Sequence, residues 1–229
     1  MACRDQQKTN HAIELIRKEK PNAKLSFLEC DLARLKSVKH FSEEFLSMNL
    51  WVDWKKKFIR NNLNYFLNFI RPLHILILNA GIFGVPEKFT DDNIELTFQV
   101  NHLAQHYLAE LLRDRLIESQ PSRVVVLSSE SHRFSQLNKT SLTEEKFTKP
   151  SKFFIPMIAY NDSKLCNLLF VNQFNSRYRN YGINVNACHP GNMISTNLSR
   201  NWWFYRLLFF FVRPFTKSLV SYNWFPTNL

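Results

Sequence analysis

The segment Tyr160-Asn161-Asp162-Ser163-Lys164 sets a phenol and an ammonium four residues apart. On a helix, positions i and i+4 share one face. A nearby fixed positive charge favours the phenolate, so the pair makes a general acid or base usable near neutral pH. Taken alone the spacing is weak, because a chain with seven Tyr produces Y-x-x-x-K by chance and an exposed helix pair has the same spacing. The order of other polar groups along the chain adds to it. Ser128 and Ser129 close an apolar run, where a hydroxyl can bond a substrate carbonyl. Asn101 sits in FQVNHLAQHYL, and Asn79-Ala80-Gly81 closes another apolar run. His102 and His106 also share a helix face, but no H-E-x-x-H glutamate accompanies them and no metal is expected. Cys166 reads as a small packed side chain.

Positioning these groups takes alternating strands and helices. Residues 73–78 (LHILIL) and 123–127 (RVVVL) are continuous apolar runs of the kind buried on both faces of a parallel sheet, and 183–188 adds a third strand. Residues 24–30 read as a strand running into Asp31. Helical spacing marks 11–20, 37–46 with Ser37 as N-cap, 90–116 opened by acidic residues, and 159–178. Strands that end in small or polar residues and alternate with helices describe a doubly wound, Rossmann-like α/β sheet, whose sites collect beyond the carboxyl ends of the strands.

Composition narrows the function. The four glycines, Gly81, Gly84, Gly182 and Gly191, cannot assemble either G-x-G-x-x-G or a Walker loop. The net charge of +11 suggests nucleic acid until it is partitioned. Residues 50–71 carry five basic and one acidic group and residues 200–229 carry four basic and none acidic, so eight of the eleven charges sit in two short stretches. All five Trp lie there too. A nucleic-acid footprint should run along a structured face, so no nucleic-acid partner is expected. Four scattered cysteines without C-x-x-C fit a reducing, cytoplasmic setting. The apolar run 207–212 spans about 9 Å as a helix, too short to cross a bilayer of about 30 Å.

Strand-NAG, helix-Asn, strand-Ser, Tyr-x-x-x-Lys and strand-Pro-Gly, in that order, resemble the short-chain dehydrogenase/reductases. The wording of SSESHRF, AYNDSKLCNLLF, HPGNM and RPFTKS is similar to the branch that joins WW modules to a catalytic domain, beside the retinol-dehydrogenase-like enzymes. The resemblance covers residues 2–48 and 72–218. It implies an NADP-dependent oxidoreductase, with NAD as the alternative, that interconverts an alcohol and a carbonyl. Tyr160 would exchange the proton with the substrate oxygen. Lys164 would lower the Tyr160 pKa and bond the nicotinamide ribose. Ser129 would orient the substrate, and Asn101 would hold the water chain that resupplies the proton. Asn79, Ala80 and Gly81 would line the adenosine ribose, Asp31 and Leu32 would meet the adenine, and Pro190 and Gly191 would pass beside the nicotinamide. Arg4 would fork onto a 2′-phosphate, or else is an arginine near a frayed terminus.

Three departures from the family pattern accompany this. Its first strand and Gly-rich turn are not found in the chain, which would leave 73–78 as an uncovered apolar edge. The WW modules are not found either, so WW-mediated partners are not expected. Residues 50–71 interrupt the domain 1–218, either as a genuine insertion or as translated non-coding sequence. The resemblance ends near residue 218, leaving 219–229 as a divergent tail without the last helix and strand. The expected activity therefore belongs to a truncated, inactive version of the enzyme. The alternative is a non-catalytic remnant that docks to partners or membrane surfaces. The apolar stretch 202–215 is expected to form a helix over the substrate side, favouring a lipophilic steroid- or retinoid-like substrate and allowing peripheral membrane contact.

Overall fold

The computed structural model describes residues 1–48 and 72–190. The expectations for 50–71, 202–215 and 219–229, and the position of Gly191, lie outside the described residues.

Parallel strands and covering helices alternate as the apolar runs require. Strand β1 (Ala2–Cys3) leads into α1 (Gln6–Glu19), β2 (Leu28–Glu29) and α2 (Leu35–Ser47). Strand β3 (Ile75–Leu78) is followed by a long helical stretch: α3 (Leu96–Phe98), a π-helical turn (Gln99–Leu103), α4 (Ala104–Leu111) and α5 (Arg113–Glu118). Then come β4 (Ser122–Leu127), a 3₁₀ turn (Glu130–Phe134), α6 (Glu144–Thr148), α7 (Pro156–Tyr178) and β5 (Ile183–Cys188). The strands form two sheets, β1-β2 and β3-β4-β5, with every pairing parallel.

One face of the three-stranded sheet forms the core. Leu78, Val124, Val126, Ile183 and Val185 are buried on it beneath α4 and α7, with Leu112, Leu116 and Phe174. Leu28, Val38 and Phe41 join the same cluster, so the small sheet shares this core. Among the described residues nothing covers the other face, which differs from the expectation that residues 73–78 are covered on both sides. Ile75 is 54% and Ile77 62% exposed. By register they lie level with Arg123 and Val125 on β4 and Asn184 and Asn186 on β5, and the exposed Asn residues fit a solvated face. The outer edge of β3 has no strand partner among the described residues.

Element ends moved where side chains, local or distant in sequence, supply the caps. Helix α1 starts five residues before the apolar pattern does, because the Asp5 carboxylate accepts from the Lys8 amide at 3.0 Å. Ser37 does not cap α2. Asp92, 57 residues away, accepts from the Leu35 amide at 2.8 Å, and the Ser37 hydroxyl instead accepts from the Asp31 amide at 3.0 Å. The helix expected from residue 90 begins at Leu96, where the Glu95 carboxylate accepts from the Thr97 and Phe98 amides, each at 2.8 Å. Of residues 24–30 only Leu28–Glu29 pair as strand. Among the described residues, no helix is long and apolar enough to cross a membrane.

Candidate functional site

Helix α7 is polar on its inner side. Pro156 sits in its first turn, and Tyr160, Asn161, Asp162, Ser163, Lys164 and Asn167 are all buried. This pattern contradicts an exposed helix pair and needs partners for every polar atom. Most come from strand ends and from the π-helical turn.

Tyr160 and Lys164 lie on this one helix, 8% and 4% exposed, with the ammonium 5.4 Å from the phenol ring centroid. Lys164 Nζ donates to the Leu127 carbonyl at 3.0 Å, at the end of β4. Burial pulls its pKa down to about 8. Tyr160 departs from expectation: its pKa is raised, because burial outweighs the hydrogen bond with the Ser129 hydroxyl that lowers it. The ammonium stands over the ring and does not produce the lowering that the spacing suggested. The phenol is therefore neutral at neutral pH, in the protonated form a proton donor needs.

The two serines at the end of β4 divide their tasks. The Ser128 hydroxyl donates to the Lys164 carbonyl at 2.9 Å and ties strand to helix. Ser129 lies against the phenol and also accepts from the Ser131 amide at 3.3 Å. Phe83 meets Tyr160 edge-on, with ring centroids 4.9 Å apart, and forms an apolar wall beside the hydroxyl.

Asn101 is fully buried in the π-helical turn, but its side chain does not turn to the phenol. Oδ1 accepts from the Ile82 amide at 2.7 Å, while Nδ2 donates to the Ile82 carbonyl at 3.0 Å and the Ser163 hydroxyl at 3.1 Å. Its carbonyl accepts from Gln105 Nε2 at 3.0 Å and Asn167 Nδ2 at 3.2 Å, which fills both lone pairs. The remaining capacity is one lone pair on Oδ1, and that is where Asn101 can take a water.

Gly81 borders the same space. A methyl group added there would stand 3.6 Å from Asn101 Oδ1 and 3.7 Å from Lys164 Nζ, so glycine leaves open the volume in front of both groups. Asn79 and Ala80 are exposed at the end of β3, and the Ala80 carbonyl accepts from Gln105 at 2.8 Å. Asp31 and Leu32 follow β2; the Asp31 carboxylate accepts from the Ala33 amide at 3.1 Å and shapes that turn. Arg4 follows β1 and is exposed, and Pro190 lies just past β5. These positions all lie at or just past the carboxyl ends of strands, where such sheets collect ligands.

The residues present fit the nicotinamide end of a dinucleotide. The ammonium keeps donors beyond its bond to Leu127, and the open space at Gly81 adjoins it. For the diphosphate, the 229 residues contain no Gly-rich turn.

Sequence reasoning missed several participants. Asp162 is 2% exposed and accepts from the Ser135 hydroxyl at 2.7 Å, the Gln136 amide at 3.0 Å and Lys146 Nζ at 3.0 Å, fastening the segment after Ser129 to α7. Asn167 lies one turn past Lys164, and the i+3 spacing was the available signal. His102 contacts Asn167, a pairing that no local pattern announces.

No family model matches the chain. Comparison with known proteins nevertheless finds close relatives. The chain is 44% identical over 221 residues to the WW domain-containing oxidoreductase of Gallus gallus, covering 96% of this chain and 48% of that protein. It is 42% identical over 220 residues to the Drosophila melanogaster protein of the same name, covering 95% and 48%. Against retinol dehydrogenase 12 of Mus musculus the identity is 34% over 218 residues, covering 95% and 60%. The chain thus spans about half the length of the first of these curated relatives. Among solved structures, an uncharacterised protein from Mycobacterium paratuberculosis aligns with a TM-score of 0.61 at 29% identity, covering 88% of this chain and 61% of that one. NADPH-bound carbonyl reductase from chicken fatty liver aligns at 0.54 and 19% identity, covering 86% and 69%, a likeness of fold.

Proposed function

The chain belongs to the short-chain dehydrogenase/reductase family, and from that premise we propose that its site interconverts an alcohol and a carbonyl with NADP(H). NAD is the alternative cofactor. The observation that carries this reading is the buried pair Tyr160 and Lys164 on α7 meeting the half-buried Ser129 past the end of β4, with a neutral phenol hydrogen-bonded to that serine hydroxyl.

In the reducing direction Ser129 and Tyr160 hold the substrate oxygen between two hydroxyls. The Tyr160 hydroxyl passes its proton to that oxygen, leaving a phenolate. The Lys164 ammonium is largely charged at pH 7, since its pKa lies near 8, and steadies the phenolate. When bound, NADPH supplies the hydride. Lys164 would bond the ribose with the donors that Leu127 leaves free, beside Gly81 and the exposed Asn79 and Ala80. Asn101 Oδ1 holds the water that returns the proton. Asp31 and Leu32 would meet the adenine, Arg4 the 2′-phosphate, and Pro190 the nicotinamide. The apolar edge of Phe83 against the phenol supports a lipophilic substrate of steroid or retinoid type. The four free cysteines support a reducing, cytoplasmic setting.

Cofactor affinity is the weak link. Backbone amides preorganised in a Gly-rich turn carry most diphosphate recognition, and this sequence contains no such turn. That favours a second reading for the 229-residue chain, a site with the acid-base machinery and little or no turnover. Calorimetric titration with NADPH should find no binding in the micromolar range, and micromolar binding would overturn this part of the proposal. At millimolar NADPH, any reduction of a lipophilic aromatic ketone should disappear in Tyr160→Phe. Turnover that survives this substitution refutes the catalytic assignment.

A further inference from the structure

Two side chains near Lys164, the buried Asn167 and the half-buried His102, take no part in the proton transfer described above. Asn167 is 2% exposed on α7, and its Nδ2 donates to the Leu127 carbonyl at 3.1 Å and the Asn101 carbonyl at 3.2 Å. Lys164 Nζ donates to the same Leu127 oxygen at 3.0 Å. On the other side of the amide, Asn167 Oδ1 faces His102 Nδ1 at 3.0 Å.

Only one assignment of protons satisfies this arrangement. Carbonyl oxygens cannot donate, so the nitrogen of Asn167 must face Leu127 and Asn101, and its oxygen must accept from His102. His102 then carries a proton on Nδ1, which in the neutral ring is the Nδ1–H tautomer. Its surroundings agree: burial pushes its pKa down to about 4, and the nearby His106 and Lys164 charges act in the same direction. His106, with its ring centroid 5.8 Å from that of His102, has Glu110 3.7 Å from its Nε2.

We infer that His102 and Asn167 form a positioning pair: His102 locks the Asn167 amide, and that amide fixes the Leu127 carbonyl on which the Lys164 ammonium rests. The π-helical turn Gln99–Leu103 serves the same end, since it aims the Asn101 carbonyl at side-chain amides. Were His102 unable to donate, the Asn167 amide could turn over and offer Oδ1 toward the ammonium. Were Asn167 apolar, Leu127 would accept from Lys164 alone. Either change favours the charged amine.

The inference rests on Lys164 serving the reaction as proposed, yet its test needs no turnover, so failure of the pair and failure of the oxidoreductase reading appear in separate experiments. In the unaltered 229-residue chain, the ¹⁵N shifts of His102 should report the neutral Nδ1–H tautomer from about pH 5.5 to 8. A protonated ring or the Nε2–H tautomer there overturns the inference, whatever any variant does. With lysine ¹³C-labelled at Cε and the signal assigned through Lys164→Arg, the Lys164 midpoint should rise by about half a unit or more in His102→Phe and Asn167→Leu, a roughly threefold change in ionisation. His102→Gln, which can still donate to Asn167, should restore the original midpoint. An unchanged midpoint in the Phe and Leu variants, or a Gln variant that shifts as far as Phe, also overturns it.

Discussion

Replacing Lys164 with methionine should make the protein more stable while removing its chemistry. The ammonium is 4% exposed and among the described residues has one acceptor, the Leu127 carbonyl. Burial lowers its pKa from the ordinary lysine value of 10.5 to about 8. A folded-state pKa below the unfolded one means that the unfolded chain binds more protons between these values, so stability rises with pH across that window. Below pH 8 the charged lysine is a standing cost, about 3 kcal/mol from the size of the shift. Methionine fills similar volume without the charge, so Lys164→Met should gain roughly 2–3 kcal/mol at pH 7, the spread allowing for lost contacts of the amine. By pH 10 the parent has shed most of its proton at this site, and the advantage should shrink to about 1 kcal/mol or less. Urea unfolding of both proteins, followed by far-ultraviolet circular dichroism at the two pH values, measures the difference. A destabilised variant, or a gain that stays constant from pH 7 to 10, would refute the reasoning.

Asp162→Ala should cost about 3 kcal/mol in the same assay, because it leaves Lys146, Ser135 and Gln136 without their shared acceptor, and it should speed proteolysis between residues 130 and 150. Phe174→Ala removes a ring 1% exposed between Phe170 and Tyr178 and should cost about 3–5 kcal/mol, read from the same urea midpoint. Ile77→Lys, on the open sheet face, should lower self-association in sedimentation velocity with a stability change within about 0.5 kcal/mol.

The parts legible in the sequence are those set by local pattern. The apolar runs at 73–78, 123–127 and 183–188 became β3, β4 and β5, and the Tyr160–Lys164 spacing fell on one helix with Ser129 against the phenol. Two of the misreadings share a cause, dependence on groups distant in sequence. Asp92 capping α2 and His102 locking Asn167 join residues 57 and 65 positions apart, where no periodicity connects them. The open face of β3 escaped notice because an apolar strand looks the same whether one face or both are covered. The sign of the Tyr160 shift was missed because spacing gives proximity, whereas the shift depends on how much water burial removes.

The central claim is that Tyr160, held by Ser129 and supported by Lys164, delivers the proton while a nicotinamide delivers hydride. Mass spectrometry of the product formed from a lipophilic ketone and millimolar NADPH deuterated at the transferring C4 position tests it most directly. The account predicts one deuterium on the carbinol carbon of whatever alcohol the parent chain forms, and none above background with Tyr160→Phe. Deuterated alcohol formed equally by the two proteins would contradict it.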